Sequence, residues 1–413
     1  MNKISRLKKY FSNNRFESLL FLYSLFLPLR NDISGVILFL LIFICLLEFK
    51  KTMSIIKQSI KNKFLILFVS LFLLHIVGLI HTTNFNYAFK DIDIKLPLLI
   101  FPFLIVGRKI EMKTIYFILN GFVIGCLIGS LGAFYNAIQL FLKTDNISEM
   151  LYEGMQFMMH SSYFALYLTF SIGYLFLRLD NKNLFSKKNI LSFLLLFFFV
   201  LVVIFLNSRA GILGLVISFF FFMIYVIIEK KEKLFYVFIS ILLAISLFIF
   251  SSSVELFNRF KPINSEETFL AITSDSVSNI NTMDLRMAIF TVGIKLFKEN
   301  PIFGHGTGDI NDVLINGYNK EGFIKGYNRK YNCHNQFLQF LLAFGLIGLL
   351  IFLVVLFLPT AYAFSVKNYL YIFFILILCF NFLFEAILET KAGVEFYAFF
   401  NVLLIGMNFK KMN

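Results

Sequence analysis

Residues 334–359 read HNQFLQFLLAFGLIGLLIFLVVLFLP: a histidine and two amides, then an apolar run unbroken by charge. A helix needs about twenty such residues to cross a hydrocarbon core of ~30 Å, so the run reads as a membrane span with a polar mouth. Working outward from it, the same pattern recurs along the chain. Apolar runs fall near 16–30, 33–49, 64–81, 92–107, 114–142, 157–178, 190–207, 210–228, 234–252, 335–359, 368–388 and 393–408, twelve in all. The first and fourth are short, and Pro97 and Pro102 predict a kink or only partial insertion of the fourth.

Composition agrees. With 59% hydrophobic and 15% charged residues over a length of 413, the chain is too apolar for a soluble domain. The fold class is all-α, a polytopic membrane protein. There is no Trp, so an interfacial aromatic belt falls to the 18 Tyr. Cys45, Cys126 and Cys379 sit in apolar runs and Cys333 in a polar one, which suggests neither a disulfide framework nor a metal set. The basic N-terminus (Lys3, Arg6, Lys8, Lys9, Arg15) is followed by no small-residue cleavage site, so the first run is expected to be a retained helix.

The formal net charge of +14 does not point to nucleic acid, because the charges sort by topology. With the N-terminus in the cytoplasm, the connections 48–63, 107–113, 178–188, 229–233 and 365–368 and both termini hold 23 Lys and Arg. The short connections on the other side hold six: Arg30, Lys90, Lys95, Lys143, Arg209 and Lys391. That asymmetry places both termini inside and the long polar segment outside. The domains follow: 1–252 with helices one to nine, 253–333 as the outer loop, and 334–413 with helices ten to twelve, together one membrane domain. A loop of this size is usually functional. Within it, Leu285, Ile289, Val292 and Leu296 recur at helical spacing, and Asn300-Pro301 stops them, which predicts an amphipathic helix over 284–300 with Arg286 in its first turn.

Three ionisable residues meet on the outer face under this topology. Asn207-Ser208-Arg209-Ala210-Gly211 is an outward hairpin, Arg286 starts the loop helix, and His334 starts the tenth run. An Arg at a membrane boundary calls for an anionic partner, and its planar fork suits phosphate oxygens; otherwise it snorkels to the interface. A histidine at a helix N-terminus stays neutral and can take a proton as general base, or it merely caps the helix. Gly304-His305-Gly306-Thr307-Gly308 lacks the strand before and the Lys-Ser/Thr after that a phosphate loop needs, and reads as a tight turn close to other backbone. His75, His81 and His160 read as packed or interfacial. Glu385 and Glu389 would share a helix face near Lys391, either orienting the site or marking the interface. The cluster Tyr318, Lys320, Lys325, Tyr327, Arg329, Lys330 and Tyr331 either stacks sugars and holds acceptor phosphates or is a solvated basic loop.

These residues resemble the O-antigen ligase and O-antigen polymerase superfamily of bacterial inner-membrane glycosyltransferases. The matching pieces are Ser208-Arg209-Ala210-Gly211-Ile212-Leu213-Gly214-Leu215, Arg286 with Asn300-Pro301-Ile302-Phe303-Gly304-His305-Gly306, and His334-Asn335-Gln336-Phe337-Leu338-Gln339 leading into Phe344-Gly345-Leu346-Ile347-Gly348-Leu349. The resemblance covers essentially the whole chain, with a ligase-related core at about 190–350. His305 stands where the family often has a hydrophobic residue, and no role is assigned to it.

The resemblance implies about twelve transmembrane helices with one large periplasmic loop, like the C-type glycosyltransferases. It implies an inverting, metal-independent transferase without cofactors, in the inner membrane and active on the periplasmic side. The donor would be a glycan on a polyprenyl (undecaprenyl) diphosphate, and the acceptor a hydroxyl of lipid A core or of a growing glycan. Catalytic roles fall to His334 as base and to Arg209 and Arg286 on the diphosphate; Asn335, Tyr327, Arg329 and Lys330 are candidate acceptor or glycan contacts. Ligation is the first reading. Polymerisation and protein O-glycosylation follow, and a secondary transporter is the distant alternative, disfavoured because the runs carry few ionisable residues near their midpoints.

Overall fold

The computed structural model describes residues 14–146, 154–231 and 282–407. The ninth apolar run, the polar segment up to residue 281 and the basic residues before residue 14 lie outside the described residues. Among the described residues all regular structure is helical. In chain order the helices are α1 (Arg15–Phe26), α2 (Asn31–Leu47), α3 (Phe49–Ile60), α4 (Lys63–Val77), α5 (Phe85–Ile105), α6 (Met112–Thr144), α7 (Ser161–Leu177), α8 (Lys187–Phe205) and α9 (Arg209–Ile228). Then follow α10 (Thr282–Glu299), α11 (Ile310–Lys320), α12 (Ile324–Arg329), α13 (Gln336–Ser365), α14 (Tyr369–Phe382) and α15 (Lys391–Ile405). Five of them are long and apolar enough to cross a membrane: α4 with its 3-10 continuation to His81, α6, α8, α9 and α13. α7 and α14 are shorter apolar helices.

Packing separates two kinds of apolar surface. Phe39, Leu73, Leu194, Ile224, Val354 and Phe357 are exposed on the helix perimeter, where water would make them a large liability and lipid does not. Inside, Phe122, Phe170, Phe374, Phe396 and Phe400 form a fully buried aromatic cluster, with Phe170 and Phe400 centroids 4.7 Å apart. Tyr167 stacks on Phe396 at 4.5 Å and gives its hydroxyl hydrogen to the Ala392 carbonyl at 2.8 Å. In lipid the gain from such a ring is close packing against its neighbours rather than removal from water.

α5 is one continuous helix through Pro97 and Pro102, both buried; each proline removes one ladder bond, and the helix packs against α4 and α15. Two sequence expectations are revised here. α14 stops at Phe382, so Glu385 lies in a turn and Glu389 in a 3-10 turn, not on one shared helix face. Lys95 is not a connection charge but a fully buried one inside α5.

The loop returns to the bundle through a break in α13. Gly345 adopts φ +64°, which interrupts the helix and leaves the carbonyls of Leu342 and Ala343 without their usual donors. His305 N–H and Gly306 N–H fill those places at 2.8 and 2.9 Å, and Leu346 N–H donates in turn to the Pro301 carbonyl at 2.8 Å. A Cβ on Gly345 would lie 2.2 Å from the Ile302 carbonyl oxygen, so only glycine fits. The same segment then docks on the turn between α4 and α5. Asp309 accepts from Thr83 N–H and Asn84 N–H at 2.8 and 2.7 Å, and Thr307 Oγ1 donates to the His75 carbonyl at 2.7 Å. The glycine-rich stretch is a clamp between two membrane hairpins.

Candidate functional site

Glu385 is the centre of the site. Its Oε1 accepts from Arg286 Nη2 at 2.8 Å and its Oε2 from His334 Nδ1 at 3.1 Å. The three side chains are 15–27% exposed, sheltered yet open to a ligand. A carboxylate offers only acceptors, so in the neutral imidazole Nδ1 of His334 carries the hydrogen and Nε2 the lone pair. This is the tautomer a general base needs.

Each member is brought there by local structure. α10 buries Leu285, Ile289, Val292 and Leu296, which turns one face of the helix to the bundle and sets Arg286 at its edge, 5.8 Å over the Phe384 ring. Tyr318 Oη donates to the Tyr331 carbonyl at 3.1 Å, pinning the loop just before His334. The next residues turn sharply: His334 has φ +44°, an uncommon value for a residue with a Cβ, and its N–H donates to Asn332 Oδ1 at 3.0 Å. Asn335 then caps α13, accepting from Leu338 N–H at 2.9 Å. Its amide nitrogen donates to the Leu383 carbonyl at 3.2 Å, so the residue beside the histidine also grips the turn that carries Glu385. Cys333 is buried, which pushes its thiol well above the ordinary range and keeps it unreactive.

A second cluster supports the first from below. Gln336, fully buried, donates to Glu389 Oε1 at 3.1 Å and accepts from Leu388 N–H at 2.6 Å. Lys95 Nζ donates to the Leu388 carbonyl at 2.5 Å and pairs with Glu389 at 3.2 Å and Asp91 at 3.0 Å; the His75 ring lies 3.9 Å from Asp91. Burial pushes the Glu389 carboxyl above its ordinary value, Lys95 draws it down, and Asp91 pushes it up again. Residues 383–389 are thus held on both flanks of Glu385 by amides of the His334 segment and by a lysine from α5.

The sequence candidates divide accordingly. Arg286 and His334 meet on Glu385. Arg209 opens α9 after the cap Ser208, and Gly211 lets that turn press on Ala165 of α7; it is not a partner in the two bonds at Glu385. α9 packs on α14, the helix that leads into the Glu385 turn. Asn335 serves as cap and tether. Tyr327, Arg329 and Lys330 are exposed on α12 and the turn after it, clear of the bonds that build the site. His305 has a structural place, bonded to Asn300 Nδ2 at 3.2 Å and to the Leu296 carbonyl at 3.0 Å. The part of Lys95 and Gln336 is absent from the sequence reading; the available signal was a lysine inside an apolar run, which demands a buried partner.

A family model described as O-Antigen ligase matches residues 193–353. That span contains Arg209, Arg286 and His334 but ends before Glu385. Comparison with curated proteins finds no match.

Proposed function

We propose, on the match of residues 193–353 to the O-antigen ligase family model, that the chain belongs to the O-antigen ligase and polymerase superfamily and transfers a glycan from a polyprenyl diphosphate to an acceptor hydroxyl at the outer face of the membrane. The observation that carries this reading is the bridge from Arg286 through Glu385 to His334. His334 Nε2 takes the acceptor proton as the acceptor oxygen attacks the anomeric carbon. The bond from that carbon to the diphosphate oxygen breaks on the opposite face, which inverts the centre. The bonding pair leaves with the diphosphate. Glu385 steadies the imidazolium that forms, and Arg286, with donors beyond the one given to Glu385, and Arg209 neutralise the leaving diphosphate. A general base contributes about 10²–10⁴-fold.

The acceptor is proposed to be lipid A core, in keeping with the ligase description of the matched domain; extension of a growing glycan is the second reading. The charge asymmetry supports an inner-membrane protein of twelve spans with cytoplasmic termini and a periplasmic site. The test is complementation of a ligase-null strain by wild-type and His334→Ala protein at equal membrane expression, reading lipopolysaccharide on a gel. Wild type is expected to restore full-length chains and His334→Ala to restore none. Rescue only of a polymerase-null strain would replace ligation by polymerisation, and full activity of His334→Ala would overturn the mechanism.

A further inference from the structure

α3 joins α2 to α4 and turns through 103° from α2. Thr52 Oγ1 donates to the Cys45 carbonyl at 2.8 Å, and Lys51 pairs with Glu48 at 2.8 Å, fixing the bend. Around the helix, three faces follow from the spacing. Phe49, Met53, Ile56 and Ile60 stand four, three and four residues apart and fall in one narrow arc; Phe49, Met53 and Ile60 are 58%, 38% and 55% exposed. Lys50, Lys57 and Lys61 share the neighbouring arc, all exposed. On the other side of the apolar arc Ser59 is buried against Gly107, where a Cβ would lie 2.3 Å from its Oγ.

We propose that α3 lies along the membrane–water interface as an anionic-lipid-binding helix, with Phe49, Met53, Ile56 and Ile60 at the acyl boundary and Lys50, Lys57 and Lys61 on headgroup phosphates. Connectivity leaves little other room. α2 arrives at one bilayer face and α4 departs from it within two residues of the ends of α3, so a helix about 18 Å long must run along that surface. Its contact with Gly107, just past the end of α5, holds it at the same level. Four lysines in thirteen residues exclude α3 as the deep half of a broken span, and the acidic Glu48 is already taken by Lys51. Arg108, its guanidinium 3.7 Å over the Phe16 ring and 3.3 Å from Cys45 Sγ, adds positive charge where α1 begins and α2 and α5 end. An apolar arc flanked by cations is the pattern of in-plane helices on anionic bilayers, and the charge asymmetry assigns this face to the cytoplasm, whose leaflet carries such lipids.

The chain has no Trp, so Phe49→Trp gives a single fluorophore on the apolar arc. Full-length protein would be placed in nanodiscs of neutral phospholipid, with or without anionic phospholipid. With the anionic lipid, the indole is expected to be shielded from acrylamide in the water and quenched more by lipid brominated near the headgroup than near the chain end. Changing Lys50, Lys57 and Lys61 to Gln is expected to lower the docked-to-undocked ratio about five-fold per lysine in the anionic discs and to leave the neutral discs unchanged. Ile60→Trp should repeat the pattern and replaces Phe49→Trp if that variant does not fold. Equal shielding in neutral and anionic discs, insensitivity to the lysines, or strongest quenching from the chain end would each overturn the proposal; the last would make α2 and α3 one re-entrant span.

Discussion

Two carboxylates four residues apart, Glu385 and Glu389, were made alike by sequence and are set to opposite tasks by structure. Glu385 is part-exposed and bonded to a guanidinium and an imidazole; Glu389 faces a lysine with no exposed surface and an amide from α13. Both lie in the same eight residues, 383–390, between α14 and α15. The proposed chemistry lies with the part-exposed carboxylate, and the buried one pairs with the lysine that holds its turn. The difference teaches which contacts to break to lose activity and which to lose the fold.

The largest effect is expected from Lys95→Met. It leaves Asp91 and Glu389 facing each other without their cation, and losing one partner of a buried pair costs about 3–5 kcal/mol. Thermal unfolding followed by circular dichroism should show a large fall in midpoint and a lower folded yield. A variant as stable as wild type would mean that the lower cluster holds nothing in place.

Glu385→Gln should do the reverse. The carboxylate is part-exposed and its amide replacement nearly isosteric, so the unfolding midpoint should stay close to wild type. The histidine loses the acceptor that fixes its tautomer, and contacts of this orienting kind are worth about 10–100-fold. Glycan transfer by the purified variant should fall by that factor at unchanged expression. A parallel loss of stability and activity would erase the distinction between the two carboxylates.

Much of this was legible in the chain. Arg286 and His334 could be singled out because each stands at the start of a helix under one topology, and Leu285, Ile289, Val292 and Leu296 announce the helix that carries Arg286. Glu385 could be named but not assigned, since a carboxylate's partner is set by where its turn points, and the turn begins only where α14 ends at Phe382. Lys95 was counted among the connection charges although it falls near the start of the run 92–107, because a charge there reads as lying at the membrane boundary. Nothing local reveals that Gln336 and Glu389, from distant segments, meet it. The clamp at Gly345 was half visible: the glycines of 304–308 call for close backbone approach, but the break in α13 that receives them lies in an uninterrupted apolar run.

The smallest effect, and the finest test of the contrast, is expected from Glu389→Gln. Burial raises the folded-state pKa of this carboxyl above its unfolded value. Its contribution to stability is therefore present below the unfolded value, where the group is neutral in both states, and is lost as pH rises through the raised folded value. The glutamine cannot ionise, so it escapes that loss while still offering an acceptor to Gln336 Nε2 or Lys95 Nζ. At low pH the variant and wild type should unfold at nearly the same temperature; between the unfolded and the raised folded values wild type should decline, levelling off above the latter, and the variant should not. Transfer activity should change little, because Glu385, Arg286 and His334 keep their bonds. A variant that matches wild type at low pH but falls below it once Glu389 is ionised would show that the charge of Glu389, and not only its shape, holds Lys95 in place.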